Sequence, residues 1–332
     1  MYLPAIALVE AQHGLITARQ LGSAGLGPND VHRLVAAGRL LRLRRGVYAD
    51  GEAWSALDPF RGQPVLRVRA AALALRCGPY AFSHDSAAVV LDMGVPDPRQ
   101  ALVHVSRPKV HGDAVRAGVK HHLAPFRPED VTTVDGLGVL SRARTALDMA
   151  REHGRAYGLA ACDAALRAGA RRADLEDALS RMPSWPHHRC MRWCIDHAEA
   201  GAESYLESLA RDFVLELGIG RPSVQFGLSD GHTTAFADIR VGRHLFEADG
   251  LLKYDADNPS GVVPEVVLVD EKRRQDFLLG FKLGMSRLTY VDLFSGRRSA
   301  LARAAREYAD TCARFGTSID DLAPYVVTRR LP

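Results

Sequence analysis

Along residues 235–241 the chain alternates with a period of two, Ala235, Ala237, Ile239 and Val241 on one side and Phe236, Asp238 and Arg240 on the other, which predicts a β-strand. Gly242 and Arg243 read as a two-residue hairpin loop, so the returning strand sets Asp238 directly across from Glu247 and Phe236 across from Asp249. All three carboxylates then share one face. The first fifty residues have a different rhythm. A helix is expected from Pro4 to Gln12; a second starts behind Thr17 as N-cap and runs through Leu21, and Gly25-Leu26-Gly27 breaks it. A third begins near Pro28, turns Val31, Leu34 and Val35 inward and stops at Gly38. In LLRLRRGVYAD, Leu41, Leu43 and Val47 alternate with Arg42 and Arg44. Three helices followed by a basic hairpin is the order of a winged helix-turn-helix.

Further on, VLRVRAAALALRCG has helical spacing, a helix starts behind Ser83 in AFSHDSAAVVLDM, and ALVHVSRP and GVKHHLAP read as strands. From Arg142 to about Glu199 the pattern is helical, broken at Gly154, Gly169 and MPSWP. The final third predicts a helix over Glu203–Leu217, a strand over Ser223–Leu228, the hairpin, a helix from about Asp270 to Leu283, a strand over Arg287–Val291 and a last helix from Arg297. The expected class is α/β of the mixed α+β kind. Its organisation is a winged helix-turn-helix over residues 1–55, an α/β middle domain over 60–150, a helical connector over 151–200 and an α/β domain over 201–332.

A length of 332 residues calls for two or three domains, and 47% hydrophobic with 25% charged residues is the composition of a soluble globular chain. No apolar run is long enough to span a bilayer, and the N-terminus lacks a basic region and meets Glu10 too early for a signal peptide. Five cysteines without framework spacing suit a reducing compartment, so a cytoplasmic location is expected. The net charge of +4 permits nucleic acid without demanding it, which makes distribution the deciding point. Arg19, Arg33, Arg39, Arg42, Arg44 and Arg45 stand against only Glu10, Asp30 and Asp50 in the first fifty residues.

In a winged helix the third helix enters the major groove with Asn29, His32 and Arg33, and Arg42, Arg44 and Arg45 on the wing meet phosphates; Thr17 and Arg19 complete the candidate DNA contacts. The alternative is a small helical module that binds protein. On the C-terminal hairpin, like charges set opposite each other are destabilising and need a divalent cation, a proton or an arginine. Arg240 shares their face, so an ordinary cross-strand salt bridge is the competing reading. Arg107, Lys109, His111, Lys120, His121 and His122 gather on one strand pair, either tracking a nucleic-acid backbone or forming a solvated edge. His84, with no nucleophile beside it, reads as structural. His187, Cys190, Cys194 and His197 share a helix face with zinc-ligand chemistry, although zinc sites usually draw on two elements and buried cysteines are often plain hydrophobes.

In their order GLITARQL, LGPNDVHRLVAAGRLLRLRRGVYA, FSHDSAAVVLDMGV and VTTVDGLGVLSRARTALDMA resemble the actinobacterial proteins with an AbiEi-type antitoxin domain, the DNA-binding partner in type IV toxin-antitoxin pairs. That resemblance covers about the first 150 residues. The last third, through AESYLESLARDFVLELGI, FADIRV, LFEADG, EKRRQDFLLGFKLG and RLTYVDL, resembles the very-short-patch-repair-like endonuclease domains of the DUF559 group, within the PD-(D/E)XK nuclease superfamily. It implies a restriction-endonuclease-like fold in which Asp238 and Glu247 bind Mg²⁺, Asp249 is a third carboxylate, and Glu203 or Glu207 is an accessory acid. The chain departs from that pattern where a lysine is expected and Asp249 stands; Lys253 is the candidate substitute. The expected function is a DNA-binding transcriptional regulator or antitoxin-like protein acting on double-stranded DNA. The alternatives are a Mg²⁺-dependent endonuclease targeted by the winged helix and an interaction module that neutralises a partner toxin. Two-fold symmetric operators would imply a homodimer, yet no heptad is visible.

Overall fold

In the computed structural model the described residues are Val9, 11–75, 78–99, 101–108, 112–249 and 264–328, with only the backbone of 264–269. Lys253, Lys109, His111 and most of the proposed helix Pro4–Gln12 lie outside them. The chain divides into two compact units, Met1–Glu152 with Ala173–His188, and His153–Arg172 with Arg189–Pro332.

The first unit opens as a winged helix. Strand β1 (Leu15–Thr17), helices α1 (Ala18–Ser23) and α2 (Pro28–Ala36) and strands β2 (Leu40–Arg44) and β3 (Val47–Asp50) build a three-stranded sheet in the order β1-β3-β2. Thr17 starts α1 with a capping box: its Oγ1 accepts from Gln20 N, and the Gln20 side chain accepts from Thr17 N. Pro28 occupies the first turn of α2, where Asp30 accepts from Gly27 N at 2.9 Å. Val31, Leu34 and Val35 pack on buried Ile16, Leu21 and Leu40. Gly46 turns β2 into β3 at φ +74°, a backbone shape that costs glycine little. Helices α3 (Gly51–Ala56) and α4 (Gly62–Ala74) follow, and Leu66 and Ala70 close on Leu15, Val47 and Ala49.

A six-stranded mixed sheet comes next, from β4 (Ala81–Phe82), helix α5 (His84–Val90), β5 (Val103–Arg107), β6 (Ala114–Arg116), β7 (Val119–Leu123), β8 (Val131–Val134) and β9 (Leu137–Leu140). The order is β6-β7-β5-β4-β9-β8, with β5 parallel to β7 and β4 parallel to β9. β5 and β7 are the two strands expected from the pattern. The other four are too short to display a period.

The helical stretch forms α6 (Arg142–His153), α7 (Arg155–Arg167), α8 (Arg172–Ser180) and α9 (His188–His197), with Gly154 and Gly169 at φ +84° and +90° in the breaks. It is shared between the units: nearly all of α6 and α8 belongs to the first, α7 and nearly all of α9 to the second.

The second unit continues with α10 (Tyr205–Glu216), β10 (Ser223–Ser229), β11 (Thr234–Val241), β12 (His244–Asp249), α11 (Pro264–Leu279), β13 (Gly284–Thr289), α12 (Tyr290–Leu293), α13 (Arg297–Phe315) and β14 (Val326–Val327). Its sheet runs β13-β12-β11-β10-β14, and the parallel β12–β13 pair requires the α11 crossover. Leu209, Phe213 and Val214 of α10 and Ala300 and Ala304 of α13 bury against Ile239, Val241 and Phe246. A second cluster gathers Phe226, Leu228, Leu245, Leu278 and Leu283. None of the described helices is long and apolar enough to cross a membrane.

Candidate functional site

Two surfaces carry chemistry. On the winged helix, Asn29, His32 and Arg33 are exposed on α2, away from the face that holds Val31, Leu34 and Val35. Arg19, Arg42 and Arg45 are exposed as well. The acids nearby are engaged in helix caps: Asp50 accepts from Glu52 N and Ala53 N, and Gly27 N and Arg33 hold the Asp30 carboxyl below its usual range. Arg33 pairs with Asp30, and an exposed pair of this kind is weak enough to exchange for a base or phosphate. Two expected contacts have other duties. The Thr17 hydroxyl caps α1, and half-buried Arg44 donates to Ala117 O at 2.8 Å, which leaves Arg42 and Arg45 as the exposed arginines of the wing.

In the second unit, β11 and β12 pair Val241 with His244 and Ile239 with Phe246, the register a Gly242-Arg243 loop gives. Arg243 is buried, donating to Ser318 O and Phe281 O and pairing with Asp321. Past Ile239 a side chain takes over from the ladder, because Ala248 N donates to Asp238 Oδ2 at 2.9 Å. On the other flank of β11, Gln225 interrupts the ladder between Val224–Ile239 and Phe226–Ala237 with φ +50°. A non-glycine residue in that region stores about 1–3 kcal/mol, and such strain collects at functional sites. Gln225 Nε2 donates to Glu207 Oε2 at 2.9 Å.

Glu207, Gln225, Asp238 and Glu247 therefore come together from α10, β10, β11 and β12. Burial, with Glu247 and then Glu207 nearby, pushes the Asp238 carboxyl up to about 7. Burial also raises Glu247, against the pull of Arg274. The compensating cation is Arg274 of α11 and not Arg240. Arg274 Nη2 donates to Glu247 Oε2 at 2.7 Å and to Glu271 Oε1 at 2.8 Å, and its Nη1 donates to Phe236 O. Arg240 instead donates to Gly242 O and lies 4.6 Å over the Phe226 ring. Asp249 sits opposite Thr289 and pairs with Arg287 at 3.7 Å. Of the two helix acids, Glu207 bears on Asp238, whereas Glu203 is exposed and its N–H donates to Glu207. Sequence reasoning missed Gln225, Arg274 and Arg287. Arg274 lay in view in the EKRRQDF helix, but only the crossover aims it at the acids.

The donor set fits one hard cation. Glu247 Oε1 is buried without a hydrogen-bond partner, and the Asp238 carboxyl, pushed up to about 7, gains from a cation beside it. Among the described residues Glu207, Asp238 and Glu247 do not form a closed three-ligand cage, so Asp238 and Glu247 would be its protein ligands.

The remaining candidates resolve differently. Cys190 and Cys194 hydrogen-bond each other, which draws the Cys190 thiol down to about 7 and raises that of Cys194. His197 bonds Trp193 O at 2.8 Å and stacks on the Trp193 ring. Among the described residues Cys190, Cys194 and His197 form no metal-ligand group, and His187 precedes the helix. The described members of the supposed basic patch are engaged, two of them with acids. Lys120 pairs with Glu152, Arg107 donates to His121 Nδ1 at 3.2 Å, and buried His122 lies 3.3 Å from Asp113.

A search of curated proteins finds no match. Among solved structures, the RV2827C protein from Mycobacterium tuberculosis is similar at 17% identity and a TM-score of 0.40, covering 58% of this chain and 75% of that one. Residues 5–49 match the family model described as "Transcriptional regulator, AbiEi antitoxin", and residues 83–190 match the "AbiEi antitoxin C-terminal domain". Both matches are to AbiEi antitoxin models, each over its own segment of the chain.

Proposed function

We propose that this protein is a sequence-specific DNA-binding regulator of the antitoxin type. The observation that carries the reading is the exposed set Asn29, His32 and Arg33 on α2 beside Arg42 and Arg45 on the wing, with the neighbouring acids Asp30 and Asp50 engaged in caps. The two antitoxin-family matches support it and add a cognate toxin protein as a partner. Fluorescence anisotropy against a duplex library tests it. Arg33→Ala should weaken the preferred sequence by about 1–3 kcal/mol, while Arg42→Ala and Arg45→Ala weaken all duplexes alike and lower the salt slope by about one. Arg44→Ala should do neither, since Arg44 is held by Ala117 O. Binding without sequence preference would sink the proposal.

A second reading is favoured by the carboxylate cluster. The order helix, strand, Asp-bearing strand, Glu-bearing strand, helix, strand resembles the endonuclease domains named above, and Glu247 Oε1 is an unpartnered buried acceptor. Mg²⁺ bound there would polarise a phosphodiester and acidify an attacking water. Asp238 and Glu247 would hold the ion, and Gln225 would fix Glu207 beside Asp238. Nicking that needs Mg²⁺ or Mn²⁺ and disappears in Asp238→Asn supports this reading; protein inert on single-stranded, duplex and mismatched DNA removes it and leaves the regulator alone.

A further inference from the structure

The first unit holds three buried histidines that neither reading uses. His84 starts α5, His104 lies on β5 and His122 on β7, and one ring nitrogen of each lies within 4.8 Å of the others. His122 Nε2 and His104 Nδ1 are 3.1 Å apart. Two nitrogens on one tetrahedral zinc, each about 2.0–2.1 Å from it, stand about 3.3 Å apart, so this pair is already close to ligand spacing. The His84 ring stacks on His122 with centroids 3.8 Å apart.

Each ring is also held from outside. The other nitrogen of His104 faces Asp85 at 3.8 Å, the other nitrogen of His122 faces Asp113 at 3.3 Å, and His84 Nδ1 lies 2.9 Å from Ser83 Oγ. Carboxylates and hydroxyls behind the ring are the outer partners that orient ligating histidines. The backbone supplies a second, independent sign. His84 has φ +49°, unusual for a non-glycine residue, and this turn delivers its ring to the cluster.

Two of the acids around the cluster also have cations of their own. Asp148 pairs with Arg144 and Arg151, and Glu152 with Lys120. Burial first, and then the neighbouring imidazoles and cations, keep His84 below its ordinary range; burial likewise lowers His104 and His122, with Asp85 and Asp113 pulling back. All three rings are therefore neutral nitrogen donors, the form a metal requires.

We propose that His84, His104 and His122 form a zinc site, a three-imidazole set with one tetrahedral position left open. On loading, the ion takes the place of the hydrogen bond between His104 Nδ1 and His122 Nε2, and the ring that donated it carries its proton on its outer nitrogen instead, toward Asp85 or Asp113, so each ring stays neutral. Zinc is the class chosen by a three-imidazole donor set; Asp148 Oδ1 lies 3.9 Å from His84 Nε2, but that carboxylate is engaged by Arg144 and Arg151.

The experiment uses the full chain without an affinity tag, stripped with EDTA and dialysed. Expected are one equivalent of zinc by elemental analysis after Zn²⁺ addition, a rise in Tm, and visible absorption with Co²⁺ as probe. His104→Ala/His122→Ala should lose all three, whereas Cys190→Ser/Cys194→Ser should keep them. Should the double histidine variant fail to fold by circular dichroism, Asp113→Asn decides: about 10- to 100-fold weaker zinc binding supports the site, and unchanged affinity overturns it. Wild-type protein without stoichiometric zinc overturns it as well, as does zinc retained by a folded His104→Ala/His122→Ala variant.

Discussion

Both units bury ionisable side chains beside a sheet, and they do so with opposite chemistry. In the first, the cluster is made of imidazoles, which enter the interior neutral; Asp148 and Glu152 beside them have Arg144, Arg151 and Lys120. In the second, they are carboxylates, and Glu247 and Asp238 are left with a single guanidinium and a backbone N–H. Desolvation acts on both clusters and lowers the bases while raising the acids. The first cluster is therefore at rest near pH 7. The second remains under electrostatic stress there, which makes it the place for a cation, and the difference rests on residue type more than on depth.

Removing Arg274 tests that contrast most severely. Among the described residues Arg274 is the cation that bonds Glu247, and it holds Glu271 and Phe236 O too. Because its side chain is 30% exposed, Arg274→Met should cost about 3 kcal/mol in urea unfolding, the low end for breaking a buried pair. Adding Glu247→Gln to the same chain should restore most of it, and millimolar Mg²⁺ part of it in the single variant. An Arg274→Met protein as stable as wild type would mean that the acids are effectively solvated.

How much of this was legible in the sequence follows from what each feature depends on. The hairpin register and the winged-helix elements were legible because Gly242, Thr17, Pro28 and alternating apolar positions act locally. Arg274 as partner to Glu247 was not, since it takes a crossover helix between parallel strands to bring residues twenty-seven apart into contact. The histidine cluster was hidden for a similar reason: His84, His104 and His122 come from three elements, and β4, which bridges β5 to β9, is two residues long. Gln225 offered nothing, because its left-handed backbone is imposed by the strands on either side.

A smaller effect, of known sign, comes from Asp238. Its folded pKa is raised to about 7 from the ordinary 3.8, so between those values the folded chain binds more protons than the unfolded one, and stability falls as pH rises through that window. Asp238→Asn keeps an oxygen for Ala248 N and removes the titration. The variant should be about 2 kcal/mol more stable than wild type above pH 7 and equal to it near pH 4, followed by thermal melts across pH. A stability gain that is the same at both ends would assign the effect to packing.

The smallest effect asks whether the sign belongs to the group or to the unit. His244 is a buried imidazole inside the second unit, with Nδ1 2.7 Å from Thr311 Oγ1 and Nε2 2.8 Å from Ser286 Oγ. Burial brings it down to about 4 from 6.5, although Glu307 pulls the other way. Between those values the unfolded chain binds the extra proton, so stability is lost as pH falls from about 6.5 toward 4, the reverse of Asp238. His244→Gln should flatten this acid limb by about 1 kcal/mol in peptides of β12 and β13 followed by hydrogen exchange, while the alkaline limb set by Asp238 stays in place. If the acid limb keeps its slope in His244→Gln, single buried imidazoles do not set it, and the contrast between the clusters must be drawn by unit and not by chemistry.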